Sequence, residues 1–237
     1  MNKKFIILVI FIFCFLIAFL IFGLIAIYRF SLIQDISRKT NNNLKKDNYH
    51  MFITVTDING NTTNNEVFYR DDVGKLIASN GIYTWADGKY AYMIDEEKKE
   101  VYILNINKEN IGLASYDMFA TIIPGYKSSL WQKVLISGNL NNTIKKSELD
   151  NKDCFIIKIN DENFTKTVWI DMIYATPIKA EIEFNNGTKI SYVYSIKFNE
   201  TRLKDIELPN INDYTVVDTD TNQTILDNSE LIETDSL

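Results

Sequence analysis

From Phe5 to Tyr28 the chain runs 24 residues without a charge, almost all of them Ile, Leu, Phe, Val or Ala. A helix of that length rises about 36 Å, enough to cross a hydrocarbon core of about 30 Å with some tilt. A cleaved signal peptide has a shorter apolar region, about 7–15 residues, followed by small residues at the cleavage site. Here the run ends Ile27-Tyr28-Arg29-Phe30, and Cys14 follows Phe11-Ile12-Phe13 rather than the small residues that acylation requires. The expectation is a short tail (1–4) and an uncleaved single-pass anchor (5–28) that ties everything after it to a membrane. Sidedness is left open by charge: Lys3 and Lys4 precede the span, while Arg29, Arg38, Lys39, Lys45 and Lys46 follow it. A literal count holds the domain in the cytoplasm, whereas long domains translocate largely regardless of charge. The short Lys3-Lys4 tail favours an extracytoplasmic domain.

Beyond residue 46 there are 18 Lys and Arg against 30 Asp and Glu. That acidic balance argues against nucleic-acid binding, which needs a basic footprint. After Lys204 no basic residue remains and nine acids follow, so 213–237 reads as an acidic, solvated, disordered tail. Cys154 opens an apolar run and reads as a buried structural thiol with no disulfide partner in its domain. His50 is the single histidine, which removes two-histidine metal sites and leaves little for acid–base catalysis. Asp218-x-Asp220 with Asn222 echoes part of an EF-hand loop, but Gln223 stands where glycine is required. The expectation is a protein that is not an enzyme and takes neither metal nor cofactor.

Residues 29–48 read as a juxtamembrane helix, with Leu32, Ile33 and Ile36 on one face and Thr40-Asn41-Asn42-Asn43 ending it. From Tyr49 the period becomes two. Strands are expected at 49–56, 66–70, 75–79, 82–85, 90–94 and 100–104, with Asn59-Gly60, Asn80-Gly81 and Asp87-Gly88 as turns. Residues 110–140 change to three- and four-residue spacings, and Pro124-Gly125 divides them into two short helices. Strands resume at 143–149, 155–160, 165–171, 178–185 and 189–198. In the last two, Ile178, Ala180, Ile182 and Phe184 oppose Lys179, Glu181 and Glu183, and the Ile190–Phe198 set alternates in the same way. One greasy and one wet face predict an antiparallel sheet covered on one side. The fold class expected is α+β: an N-terminal transmembrane helix, then a large curved antiparallel sheet covered by short helices.

Val168-Trp169-Ile170-Asp171, Pro177-Ile178-Lys179-Ala180-Glu181, the Gly187 hairpin, Tyr192 to Asn199 and the closing Ile206-Glu207-Leu208-Pro209 together resemble the LolA/LolB-like superfamily of lipoprotein carriers. The resemblance covers about 49–210 in topology and about 165–210 in motif. It implies an incomplete antiparallel barrel over 49–212, helices over one opening, and an apolar interior that holds acyl chains. Membrane-anchored relatives of Gram-positive type are the nearer analogy, because a tethered domain cannot shuttle.

Under that implication the candidate cavity lining is Tyr83, Trp85, Tyr92, Tyr102, Trp131, Trp169, Tyr192 and Tyr194, with Met118, Phe119, Ile122 and Ile123 as a helical cover and Pro124-Gly125 as the gate. Ordinary core and cross-strand pairing explains the same aromatics without a ligand. Two functions are therefore carried forward. One is a membrane-anchored extracytoplasmic domain that binds a lipid, acyl chain or lipoprotein. The other is a sensor or scaffold subunit of a cell-envelope complex, with a filled core and a protein partner.

Overall fold

The apolar run and the juxtamembrane segment form one uninterrupted helix, α1 (Lys3–Leu44), in a computed structural model that describes residues 3–44, 48–71, 73–87, 90–105, 119 and 122–217. Between Leu24 and Leu44 there is no Gly or Pro to break it. It also runs through Thr40–Asn43, where the sequence predicts its end. Tertiary contacts hold these poor helix formers in place: Thr40 Oγ1 donates to the Ala175 carbonyl at 2.8 Å, Asn43 Nδ2 donates to the Tyr174 carbonyl, and Asn41 Oδ1 accepts from the Tyr126 hydroxyl at 2.8 Å.

The strands expected from the alternating pattern are all present: β1 (Asn48–Thr56), β2 (Thr62–Arg70), β3 (Val73–Ile77), β4 (Ile82–Ala86), β5 (Tyr90–Asp95), β6 (Glu100–Asn105), β7 (Thr143–Leu149), β8 (Lys152–Asn160), β9 (Phe164–Asp171), β10 (Pro177–Phe184) and β11 (Lys189–Phe198). A further short strand, β12 (Thr215–Val217), pairs parallel to β6 within the segment read as an acidic tail. The twelve strands lie in one sheet in the order β12-β6-β5-β4-β3-β2-β1-β11-β10-β9-β8-β7. The architecture is thus an apolar N-terminal helix followed by a large, open, mostly antiparallel sheet with few short helices. Of the predicted 110–140 insertion, α2 (Leu130–Gly138) is described; residues 106–118, 120 and 121 lie outside the described residues.

Two compact units share this sheet: Met1–Lys46, Thr54–Thr62 and Asp117–Ser195 make the first, and Asp47–Ile53, Thr63–Tyr116 and Ile196–Leu237 the second. In the first, cross-strand register puts Phe155 beside Ile170, Ile157 beside Val168, and Val168 beside Ala180. Directly opposed residues project to the same side, so these form one buried apolar face. The upper part of α1 lies on it: Lys39 Nζ stands 5.3 Å from the centre of the Phe155 ring and donates to the Met172 carbonyl at 2.9 Å. Leu32, Ile33 and Ile36 of α1 are buried. Each such side chain contributes about 1.5–3 kcal/mol. Gly125 is required at the crossing with α1. Its φ is +80°, and an added Cβ would meet Ile33 Cγ2 at 3.2 Å.

In the second unit Tyr49, Met51, Val67 and Tyr69 form a buried face, with the Tyr49 and Tyr69 rings 5.1 Å apart. On the opposite face Tyr83, Ile94 and Val101 form a cluster against which Leu208, Ile211 and Tyr214 pack.

Candidate functional site

Register decides which of the candidate aromatics can act together. In the second unit Trp85 opposes Tyr92 and Tyr83 opposes Ile94, so Tyr83, Trp85 and Tyr92 share a face; the Trp85 and Tyr92 rings meet edge-on at 5.5 Å. That face is occupied by the chain's own C-terminal stretch. Trp85 Nε1 donates to the Ile206 carbonyl at 2.6 Å, and Leu208, Ile211 and Tyr214 cover the cluster beneath. The stretch is latched at Glu96. Its Oε2 accepts from the Tyr214 hydroxyl at 2.5 Å and from Lys99 Nζ at 2.8 Å, while Oε1 accepts from the Tyr83 hydroxyl at 3.2 Å. Lys99, then Tyr214, hold the Glu96 carboxyl below its ordinary range, and burial followed by the neighbouring carboxylate pushes the Tyr83 hydroxyl up. Tyr102 opposes Met93 rather than Tyr92. It therefore lies on the other face, where its hydroxyl donates to Glu100 at 3.0 Å.

In the first unit the same separation recurs. Tyr192 opposes Ala180 and shares the α1-covered face with Val168, while Trp169 opposes Lys179 on the reverse side. There Lys179 Nζ stands 5.3 Å from the Trp169 ring centre, and Glu181 bridges Lys179 and Lys189 at 2.8 and 3.1 Å. Tyr192 and Tyr194 stack with ring centres 6.4 Å apart, and burial raises both hydroxyls. The same face carries Lys166, which is absent from the candidates above. Lys166 opposes Ile159 and Ile182 on the apolar face, and burial pulls its ammonium down to about 8. The signal was available, since Lys166 alternates in phase with Val168 and Ile170.

The helical cover is core. Phe119, Ile122 and Ile123 are buried, and the Ile123 amide donates to the Phe119 carbonyl at 2.8 Å. Met118 lies outside the described residues. Trp131 is on the surface of α2, 68% exposed. Two hollows open along α1, one lined by Phe19, Phe22, Ala26, Arg29, Gly138 and Leu140 among others, the other by Phe30, Ser31, Gln34, Asp35 and Arg38. None of the aromatic candidates lines either.

The two residues weighed for catalysis are both packed. His50 stacks on the Phe68 ring and lies against the tilted Phe52 ring, both centred 4.2 Å away, with Glu66 at 3.5 Å. Cys154 is buried, and burial pushes its thiol up, away from the thiolate that nucleophilic work requires. Among the described residues no three His, Cys, Asp or Glu side chains gather to hold a metal ion.

No family model matches the chain, and no curated protein matches it. Among solved structures, an uncharacterised conserved protein from Thermus thermophilus is similar with a TM-score of 0.53 and 11% identity, over 78% of this chain and 98% of that one. That likeness shows a shared fold. Also similar, at lower scores, is the MucA/MucB complex structure from Pseudomonas aeruginosa (TM-score 0.47, 12% identity, 77% of this chain and 63% of that one). A LolA superfamily protein from Nitrosomonas europaea follows at TM-score 0.35 and 11% identity, over 74% of this chain and 97% of that one.

Proposed function

We propose that this chain is a non-catalytic, membrane-anchored binding module that holds a protein partner at a fixed station on the extracytoplasmic side of a cell envelope. The observation that carries this reading is the continuity of α1. The helix that begins as an apolar span ends as a buried piece of the first unit, with Ile33 and Ile36 in the core. A carrier that ferries cargo needs a loose tether or none, and here the anchor is part of the packing.

The candidate aromatics support a partner rather than an enclosed acyl chain. Burial of an acyl chain is worth about 0.8 kcal/mol per methylene, but the face of Tyr83, Trp85 and Tyr92 is already taken by Ile206, Leu208, Ile211 and Tyr214. The cations after the span also have structural duties. Arg29 donates to the Asn139 carbonyl at 3.1 Å, and Arg38 and Lys39 both pair with Asp35. Their position answers to folding, which weakens the charge count as an argument for the cytoplasm. A lipid reading rests on one observation, the Lys166, Tyr192 and Tyr194 group on the apolar face, which would offer an amphiphile a cation beside greasy strands.

Native mass spectrometry of the full chain released from lipid nanodiscs separates the two. The partner reading expects the chain free of any tightly held acyl species and, from native membranes, bound to a second polypeptide in fixed stoichiometry. One acyl molecule per chain that survives detergent exchange, and is lost in Lys166→Glu, would overturn it.

A further inference from the structure

The short helix α2 is inside out for a helix in water. An amphipathic surface helix turns its apolar stripe to the core and its polar residues to solvent. In α2 the buried residues are Lys133 and Ser137, while Leu130, Trp131, Val134 and Leu135 are exposed. Those four fall at i, i+1, i+4 and i+5 and make one outward face. Leu140, just past the helix, is 62% exposed and extends it. On the inward side the Ser137 hydroxyl donates to the Lys133 carbonyl at 2.7 Å, and half-buried Ile136 lies against Gly125. The start is also firmly set: Ser129 and Gln132 cap each other's backbone amides in a capping box. The inversion is therefore built into a well-formed helix.

Its place along α1 says what covers that face. The end of α2 meets α1 at Phe19, Phe22, Ala26 and Arg29, in the hollow that Gly138 and Leu140 complete, and Arg29 is tied to the Asn139 carbonyl. Those α1 residues are the last turns of the apolar span. From Phe19 to Tyr28 is about 13 Å of helix rise. A span of about 20 residues fills a hydrocarbon core, so the turns that α2 touches run from the boundary of a bilayer that α1 crosses, at Arg29, to about 13 Å inside it, at Phe19. Phe19, Leu20, Leu24 and Ile27 are exposed, and exposed Leu140, which extends the α2 face, shares the hollow with Phe19 and Phe22.

We propose that α2 is a second membrane contact: an interfacial helix that buries Leu130, Trp131, Val134, Leu135 and Leu140 among the headgroups and upper acyl chains of the bilayer holding α1. This rests on the reading of α1 as a membrane anchor. Interfacial helices bury their apolar face about 5–10 Å into the headgroup boundary, and tryptophan is enriched at that depth. A contiguous exposed apolar face of this kind marks an interaction surface, and its continuity with the span selects lipid as the occupant.

The test is the depth of Trp131 in the full chain, reconstituted in phosphatidylcholine–phosphatidylglycerol vesicles with brominated acyl chains. A Trp85→Phe/Trp169→Phe variant leaves Trp131 as the sole tryptophan, and a Phe19→Trp reporter with all three native tryptophans replaced by Phe reads α1 itself. The expected result is loss of most Trp131 emission to brominated lipid, a blue-shifted maximum, and little quenching by aqueous iodide. If Phe19→Trp is quenched while Trp131 stays open to iodide, α1 spans the membrane and the α2 proposal falls. Shielding of Trp131 from both quenchers means that protein covers the face, which also overturns it. Lack of quenching at both positions removes the anchor reading and the proposal together. Trp131→Phe with the other tryptophans intact gives the same answer by difference, so loosening caused by losing the Trp85 hydrogen bond does not decide the outcome.

Discussion

Replacing Ile33 by alanine asks whether α1 is a structural member of the first unit or a passive tether. Ile33 is 1% exposed, and its Cγ2 and Cδ1 sit 3.2 and 3.8 Å from the point where a Cβ on Gly125 would be. Large-to-small changes of a buried isoleucine cost about 2–5 kcal/mol, more where the site cannot collapse. Here one wall is the backbone of a positive-φ glycine, held by the turn in which the Tyr126 amide donates to the Ile123 carbonyl at 3.2 Å, so the upper half of that range is expected. At tenfold per about 1.4 kcal/mol, opening of the unit rises by about 300-fold to 4,000-fold. The assay is amide hydrogen exchange by mass spectrometry on the full chain in nanodiscs, read in peptides from β8 and β9, whose slowest amides report unit-wide opening. Ile27→Ala on the same helix is the control. Ile27 is 67% exposed on the apolar span and should change exchange in β8 and β9 by less than about twofold, as surface substitutions do. Equal effects from the two variants, or unchanged protection in Ile33→Ala, would refute the claim that the anchor is part of the core and with it the fixed-station reading.

Lys166→Met should stabilise the chain, and the gain should depend on pH. The folded state binds the Lys166 proton less tightly than the unfolded chain, so stability rises with pH between about 8 and the ordinary lysine range near 10.4, and the full cost applies below about pH 8. At about 1.4 kcal/mol per unit, discounted because the side chain is half-buried, the gain at pH 7 is about 1–2 kcal/mol. Thermal melts at pH 7 and 10.5 check it, and an equal gain at both would contradict the burial argument. Tyr214→Phe should loosen the C-terminal latch by removing the donor to Glu96, seen as a red shift of Trp85 emission in a chain whose other tryptophans are Phe. In the native sequence the Glu96 contribution is fully present above the ordinary glutamate range near pH 4.3 and is lost as pH falls through its lowered folded value. The same red shift should therefore develop only in that acid range, and an emission maximum that moves at pH 6 would break the assignment.

The strand pattern was legible because one face of each strand is wet and the alternation has no competitor. β10 and β11 are the clearest case: Asn186-Gly187 fixes the turn, Gly187 takes φ +82°, and Ile182 meets Ile190 as the spacing requires. What each strand's two faces meet was harder to read, although part of that was written in the turns. Once the charged turn Glu96–Lys99 pairs Asp95 with Glu100, Tyr92 must oppose Ile103 and Tyr102 must oppose Met93, which separates two aromatics that composition groups together. The pairing of Trp169 with Lys179 follows a β-bulge between Pro177 and Lys179, and nothing local announces a bulge. The inversion of α2 was illegible for a different reason: Leu130, Trp131, Val134 and Leu135 have core-like spacing whatever covers them. Periodicity gives a stripe, and only the packing of Lys133 and Ser137 gives its direction. Thr40–Asn43 misled because helix propensity is a weak prior that tertiary hydrogen bonds override.

Those hydrogen bonds also fix how the proposed anchor would act on the first unit. α1 is clasped at three levels within the first unit: Arg29 to the Asn139 carbonyl, Ile33 against Gly125, and Lys39, Thr40 and Asn43 to the carbonyls of Met172, Ala175 and Tyr174. From Arg29 to Asn43 is about 21 Å of helix rise, and each clasp belongs to a different loop. A rod held at one point can pivot. Held at two it keeps its direction, and at three it resists bending between them. If α1 spans a bilayer as proposed, a change in its tilt, to which bilayer thickness contributes, would be carried as a rigid rotation into the loops after β9 and before β7 rather than absorbed at a hinge. Two glycines inserted between Ile36 and Ser37 would create that hinge while leaving the span and the clasps at Arg29 and Ile33 in place. Loss of partner binding in that variant, with the partner still bound by Ile27→Ala, would tie function to the stiffness of the helix itself.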